Sequence, residues 1–246
     1  MNTDSQDENN LQKGIKAVLF DMDNTLFDLV GAQIAACNSV VGHLGQVDGD
    51  ELFLYFLEGS HGFESTENIR QYMEERRIPT NGMFEHACRI YHHEKLRNIT
   101  PYPGVIKTLK AIQDRGYAMA IVTDAEYPDA RMRLDKCGLL PFFDAMVTFD
   151  RIGVKKPAPE PFFAALDAVG AKPDEVLFVG DSPRRDIEPC RKLGIRTVYA
   201  RYGDRFSKTR ESHGADFVVD QMDELLDIVK DMPVSSPRPA RKNQTY

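Results

Sequence analysis

Cysteine is scarce in this 246-residue chain: Cys37, Cys88, Cys137 and Cys190 lie far apart and make no C-x-x-C pair. That spacing excludes a recognisable disulfide framework or thiolate zinc motif and leaves reduced, buried thiols as the expectation. Long hydrophobic runs are also missing: no apolar stretch approaches the roughly 20 residues that cross a bilayer. The opening, MNTDSQDENN, is polar and acidic, unlike a secretory leader. Basic charge is in deficit, with 31 Lys and Arg against 38 Asp and Glu, a formal net charge of -7. A nucleic-acid track or a surface for anionic lipid needs the opposite sign. A locally positive pocket for a small anion does not. No internal repeat is present. These absences predict a soluble cytoplasmic protein without membrane or nucleic-acid partners, and they leave monomer and dimer both open.

What is present is ordinary globular composition, 42% hydrophobic and 28% charged, enough to bury a full core and a second module. Residues 1–13 lack apolar periodicity, and residues 232–246 are rich in Pro, Ser and basic side chains, so both ends are expected to be disordered tails. Between them, short unbroken apolar runs alternate with helical patterns. The runs are KAVLF, YAMAIVT, DAMVTF, EVLFVG and RTVYA, ending at Phe20, Thr123, Phe149, Gly180 and Ala200, with a further strand over Asp216 to Val219. Unbroken runs suit strands covered on both faces of a parallel sheet. Val105, Leu109 and Ile112 recur at helical spacing, as do Phe162, Leu166 and Val169, and Met222, Leu226 and Val229. The alternation predicts an α/β fold, a doubly wound parallel sheet. One interval breaks it. Residues 29–100 read as four helical segments closed by a Pro-Tyr-Pro-Gly elbow at 101–104, far longer than a crossover loop. They are expected to form a small inserted α-helical cap that moves against a core of residues 14–28 and 101–231.

Ligands of open α/β sheets sit outside the carboxyl ends of the strands. There this chain places Asp21-Met22-Asp23-Asn24-Thr25, then Thr123, then Gly153-Val154-Lys155-Lys156-Pro157, then Gly180-Asp181-Ser182 with Asp186 a turn later. D-x-D-x-T alone is weak and could be an acidic turn; four signals in order, each after its own strand, are not readily incidental. FDMDNTLFD (20–28), IVTDA (121–125), GVKKP (153–157) and VGDSPRRD (179–186) together resemble the haloacid dehalogenase superfamily. The resemblance spans essentially everything between the tails. It is closest in arrangement to the phosphoglycolate-phosphatase-like branch, where a helical cap falls between the first two motifs.

The resemblance implies a magnesium-dependent phosphatase acting on a small soluble phosphate monoester, a sugar phosphate or phosphoglycolate-like metabolite. By the same resemblance Asp21 is the nucleophile, forming an aspartyl-phosphate. A carboxylate is already anionic at neutral pH and needs no base. Asp23 would serve as general acid and then base. Thr123 would hydrogen-bond the phosphate, and Lys156 would balance its charge together with that of Asp21; Lys155 is the rival lysine. Magnesium would be held by Asp21, Asp181 and the Asp23 carbonyl, with Asp186 supporting Lys156 or a metal-bound water. Asp124 stands where several relatives carry Asn. It lies at the substrate-binding position, and as a carboxylate it is expected to turn away from phosphate and cap the next helix.

The insert carries His43, His61, His86, His92, His93 and Cys88, whose spacing matches no ligand pattern. Its Arg70, Arg76 and Arg77 read as a solvated face, one of which could still reach substrate, and Phe53, Phe56, Phe63 and Phe84 as core. Three alternatives stay open: a 5'-nucleotidase or phosphomutase on the same core, and a non-catalytic phosphometabolite-binding protein. A carbon–halogen hydrolase would need no proton donor at Asp23, which counts against it.

Overall fold

A computed structural model describes residues 14–207, 209 and 211–234. Six strands, β1 (Ala17–Phe20), β2 (Ala118–Val122), β3 (Ala145–Val147), β4 (Val176–Gly180), β5 (Arg196–Ala200) and β6 (Phe217–Val219), form one sheet in the order β3-β2-β1-β4-β5-β6. Every pairing is parallel. All residues of β1, β2, β4 and β5 are buried, which is why these runs carry no polar alternation. β1 lies at the centre, with Phe20 beside Ile121 on one flank and Val179 on the other. The register brings the residues following β1, β2 and β4 to one level of the sheet edge.

The helices are α1 (Leu29–His43), α2 (Gly49–Glu58), α3 (Glu67–Glu75), α4 (Met83–Asn98), α5 (Val105–Asp114), α6 (Tyr127–Lys136), α7 (Phe149–Ile152), α8 (Glu160–Val169), α9 (Glu188–Lys192) and α10 (Leu225–Lys230). The described chain separates into two compact units, Asp28–Thr100 and the remainder. The inserted unit contains α1 to α4 and its own core, in which Val40, Leu52, Phe56, Ile69, Tyr72, Phe84 and Tyr91 are buried. Phe53 is buried there too, and Phe63 packs against the cluster. The Asp28 carboxylate caps α1, accepting from Gly31 N–H at 2.8 Å, and Asp48 caps α2 through Glu51 N–H at 3.1 Å. In the sheet unit, Leu19, Ala120, Val122, Phe162, Leu166 and Phe178 belong to the apolar layer that seats α8 on the strands.

Two boundaries differ from the sequence expectation. Phe149 does not extend β3: it opens α7, donating its N–H to the Ala125 carbonyl at 3.0 Å, and Gly153 at φ 83° ends the turn. The apolar run continues through a place where the backbone has already left the sheet. Residues 232–234, expected to belong to a C-terminal tail, are instead tied to the fold. Met232 is buried, and the Pro233 carbonyl accepts from Ile15 N–H at 3.0 Å. Residues 1–13 and 235–246, expected to be tails, lie outside the described residues.

Candidate active site

Asp21 follows β1 directly, and its N–H still donates to the Val179 carbonyl of β4 at 2.9 Å. The strand ladder thus fixes its backbone, and its side chain is 5% exposed. Lys156 Nζ lies 2.5 Å from Asp21 Oδ1 and 2.7 Å from Asp186 Oδ1. Thr25 Oγ1 sits 3.2 Å from Asp21 Oδ2 and 3.3 Å from Asp181 Oδ1, so one hydroxyl proton serves two carboxylates. Asp21, Asp181 and Asp186 each present an oxygen within 4.8 Å of the others, all buried.

This concentration of charge has a cost that the ionisation of the groups records. Burial, reinforced by the charges of Asp21 and Asp186, holds the Asp181 carboxyl well above the ordinary carboxylate range. Burial likewise raises Asp186, with Lys156 opposing. Burial disfavours the Lys156 ammonium, but Asp186 and Asp21 outweigh it and hold the group protonated beyond its ordinary range. Three buried carboxylates around one ammonium, with Arg185 nearby, are a hard oxygen donor set with surplus negative charge. They fit a hard divalent cation.

The Asp186 placement depends on the turn after β4. Residues Pro183–Ile187 wind as a single π-helical turn, in which Ser182 Oγ accepts from Arg185 N–H at 3.3 Å and Ser182 N–H donates to Asp186 Oδ2 at 3.0 Å. A Cβ on Gly180 would stand 2.6 Å from the Asp186 carboxylate, so glycine is what lets that side chain fold back under the strand end.

Asp124 does not cap the next helix. Its Oδ1 accepts the Lys156 backbone N–H at 2.8 Å, and its Oδ2 lies 3.6 Å from Arg185 Nη1. The first turn of α6 is served instead by Asp150 Oδ1, which accepts Tyr127 N–H at 2.8 Å. Asp124 therefore anchors the loop that delivers Lys156. Lys155 points elsewhere, its ammonium 4.7 Å from the Phe149 ring centroid. Thr123 is buried after β2, its Oγ1 accepting Ala125 N–H at 3.2 Å, which leaves its hydroxyl proton to donate.

Asp23 faces Arg133. One guanidinium nitrogen, Nη1, lies 2.9 Å from Asp23 Oδ1 and 2.8 Å from Oδ2. Sequence reasoning missed Arg133, since a basic residue in YPDARMRLDK carries no signal for a partner 110 positions away. It missed Gly203 for the same reason. A Cβ there would meet the Asn24 carbonyl oxygen at 1.7 Å and Asp181 Cβ at 3.1 Å. The neighbouring Tyr202 hydroxyl donates to the Thr25 carbonyl at 2.7 Å, tying the β5 loop to the first motif.

The inserted unit holds no comparable site among the described residues. His43 and His86 lie with ring centroids 4.3 Å apart and planes tilted by 49°, but no histidine or cysteine cluster of metal-ligand geometry forms among the described residues. Arg70 lies over the Phe84 ring at 3.7 Å and pairs with Glu67, and Arg76 lies over Tyr72. No described helix is long and apolar enough to cross a membrane.

A central parallel sheet with carboxylates after β1 and β4 and a lysine bound to the first of them defines an aspartate-based hydrolase. The sequence pattern of the haloacid dehalogenase-like hydrolases matches residues 18–200, and the chain belongs to that family. It is an enzyme of the phosphatase class within it. A pyrophosphatase of Bacillus pumilus is 33% identical over 217 residues, 87% of this chain and 96% of its own. A glyceraldehyde 3-phosphate phosphatase of Methanopyrus kandleri is 31% identical over 229 residues, 89% and 98% of the two chains. The crystal structure of a phosphatase of the same superfamily from Thermococcus onnurineus superposes with a TM-score of 0.61 at 25% identity, covering 92% of this chain and all of that one.

Proposed function

We propose that the protein is a magnesium-dependent phosphatase for a small phosphorylated metabolite, a sugar phosphate or phosphoglycolate-like acid, and that Asp21 is its nucleophile. The observation that carries this reading is the buried Asp21 carboxylate, held between Lys156 and Thr25 at the sheet's carboxyl edge. An Asp21 oxygen attacks phosphorus, and the bond to the leaving oxygen breaks. Asp23 gives that oxygen its proton. The Asp23 carboxylate then takes a proton from water as the water oxygen attacks the same phosphorus, releasing phosphate and restoring Asp21. Lys156 offsets the charge of phosphate and nucleophile as they approach, and Thr123 donates to a phosphate oxygen. Asp21, Asp181 and the Asp23 carbonyl would hold the cation, with Asp186 fixing Lys156. Bound there, magnesium supplies charge neutralisation of the phosphoryl group.

The curated relatives act by name on a triose phosphate and on pyrophosphate. Both are small anions, which supports the metabolite class. The test is kcat/KM across triose, pentose and hexose phosphates, phosphoglycolate, nucleoside monophosphates, pyrophosphate, phosphopeptides and 5'-phosphorylated oligonucleotides. A small metabolite is expected to lead. A phosphopeptide or oligonucleotide exceeding every metabolite by about tenfold, some 1.4 kcal/mol of transition-state preference, would contradict it.

A further inference from the structure

Asp23 lies beyond the end of β1, in a loop where Asn24 takes a left-handed φ of 61°. A carboxylate on such a loop has no sheet neighbours on both sides to set its direction. Arg133 meets it from α6, with its side chain 3% exposed. Its Nη1 engages both oxygens at once, which fixes the heading of the carboxyl group. The same segment, running from the end of β2 into α6, carries Thr123 and Asp124. The parts that meet phosphate, deliver Lys156 and hold Asp23 thus share one stretch of chain.

We propose that Arg133 is a positioning residue for the reaction, acting through Asp23 by aiming its carboxyl group at the leaving oxygen. The proposal rests on the acid–base role assigned to Asp23 above. A buried charge pair that served folding alone would affect stability without reference to substrate. A positioning pair affects the step in which a proton reaches the leaving group, so its loss matters most where that proton matters most.

The test compares a poor leaving group, glycerol 3-phosphate, with a good one, p-nitrophenyl phosphate, in wild type, Arg133→Gln, Arg133→Lys, Asp23→Asn and the Arg133→Gln/Asp23→Asn double variant, all with magnesium. Asp23→Asn is expected to lower kcat for the poor leaving group on the order of a hundredfold, and far less for the good one. Arg133→Gln is expected to lower kcat for the poor leaving group on the order of tenfold, within that general-acid effect, with KM nearly unchanged. Arg133→Lys, which also presents one nitrogen to both oxygens, should recover part of the loss. The double variant should match Asp23→Asn alone, because an effect routed through Asp23 cannot be lost twice. Equal losses on both substrates, or additive losses in the double variant, would overturn the positioning role while leaving Asp23 as the acid. If Asp23→Asn itself shows no leaving-group dependence, the acid assignment falls, and this inference with it. Thermal unfolding accompanies each variant, and should Arg133→Gln fail to fold, Arg133→Lys carries the same comparison.

Discussion

At the scale of single residues, the site is a store of negative charge, and its consequences for stability have a definite sign. The Asp181 carboxyl is held well above the ordinary range by burial and by Asp21. The folded state therefore binds that proton more tightly than the unfolded chain. Its contribution to stability is present at acid pH and is lost as pH rises from the unfolded value, about 3.9, through the raised folded one. A divalent cation competes for the same oxygens. Magnesium should accordingly raise Tm more at about pH 7.5 than at about pH 5, and Asp181→Asn should remove most of that difference. Calorimetry with and without magnesium measures both; an equal shift at the two pH values, or in the variant, would count against this arrangement of charge. Gly203 gives a second expectation. The Cβ of Gly203→Ala cannot coexist with the Asn24 carbonyl 1.7 Å away, so the first motif or the β5 loop must move. Overpacking of this kind costs about 1–3 kcal/mol. Activity should fall with it, and urea unfolding together with kcat on the preferred substrate would report the two losses.

At the scale of elements, capping is the most local device that can be tested. Asp28→Ala removes the side chain that accepts Gly31 N–H at the start of α1, and should destabilise the protein by about 1 kcal/mol, read by urea unfolding. Unbroken runs such as AVLF and VLFVG were legible in the sequence as local signals, because burial on both faces demands apolar residues in succession. The four motif positions were legible for a related reason: parallel strands send their carboxyl ends to one edge, so order along the chain becomes proximity. Phe149 was not legible, since an apolar run does not say where the backbone turns out of a sheet. Arg133, Gly203 and Tyr202 were not legible either. Their partners, Asp23, Asn24 and Thr25, lie more than a hundred positions away, and no periodicity encodes that pairing. The capping expected of Asp124 was a local reading, whereas the N–H that its carboxylate accepts belongs to Lys156, 32 positions away, which no local pattern encodes.

At the scale of the whole molecule, a net charge of -7 coexists with a site built for an anion. The cationic side chains at the site are few and specific: Lys156 bound to Asp21, Arg133 bound to Asp23, and Arg185 beside Asp124. On a chain of net negative charge, such an arrangement favours a compact phosphate ester over a polyanion. The central claim is that all of this is organised around one nucleophile. The most direct measurement is kcat of Asp21→Asn, an amide of nearly the same shape that cannot attack phosphorus, in protein whose mass excludes deamidation. The account predicts a folded protein with kcat below about a hundredth of wild type, more than some 2.7 kcal/mol added to the barrier. A folded, undeamidated variant retaining more than that would contradict it.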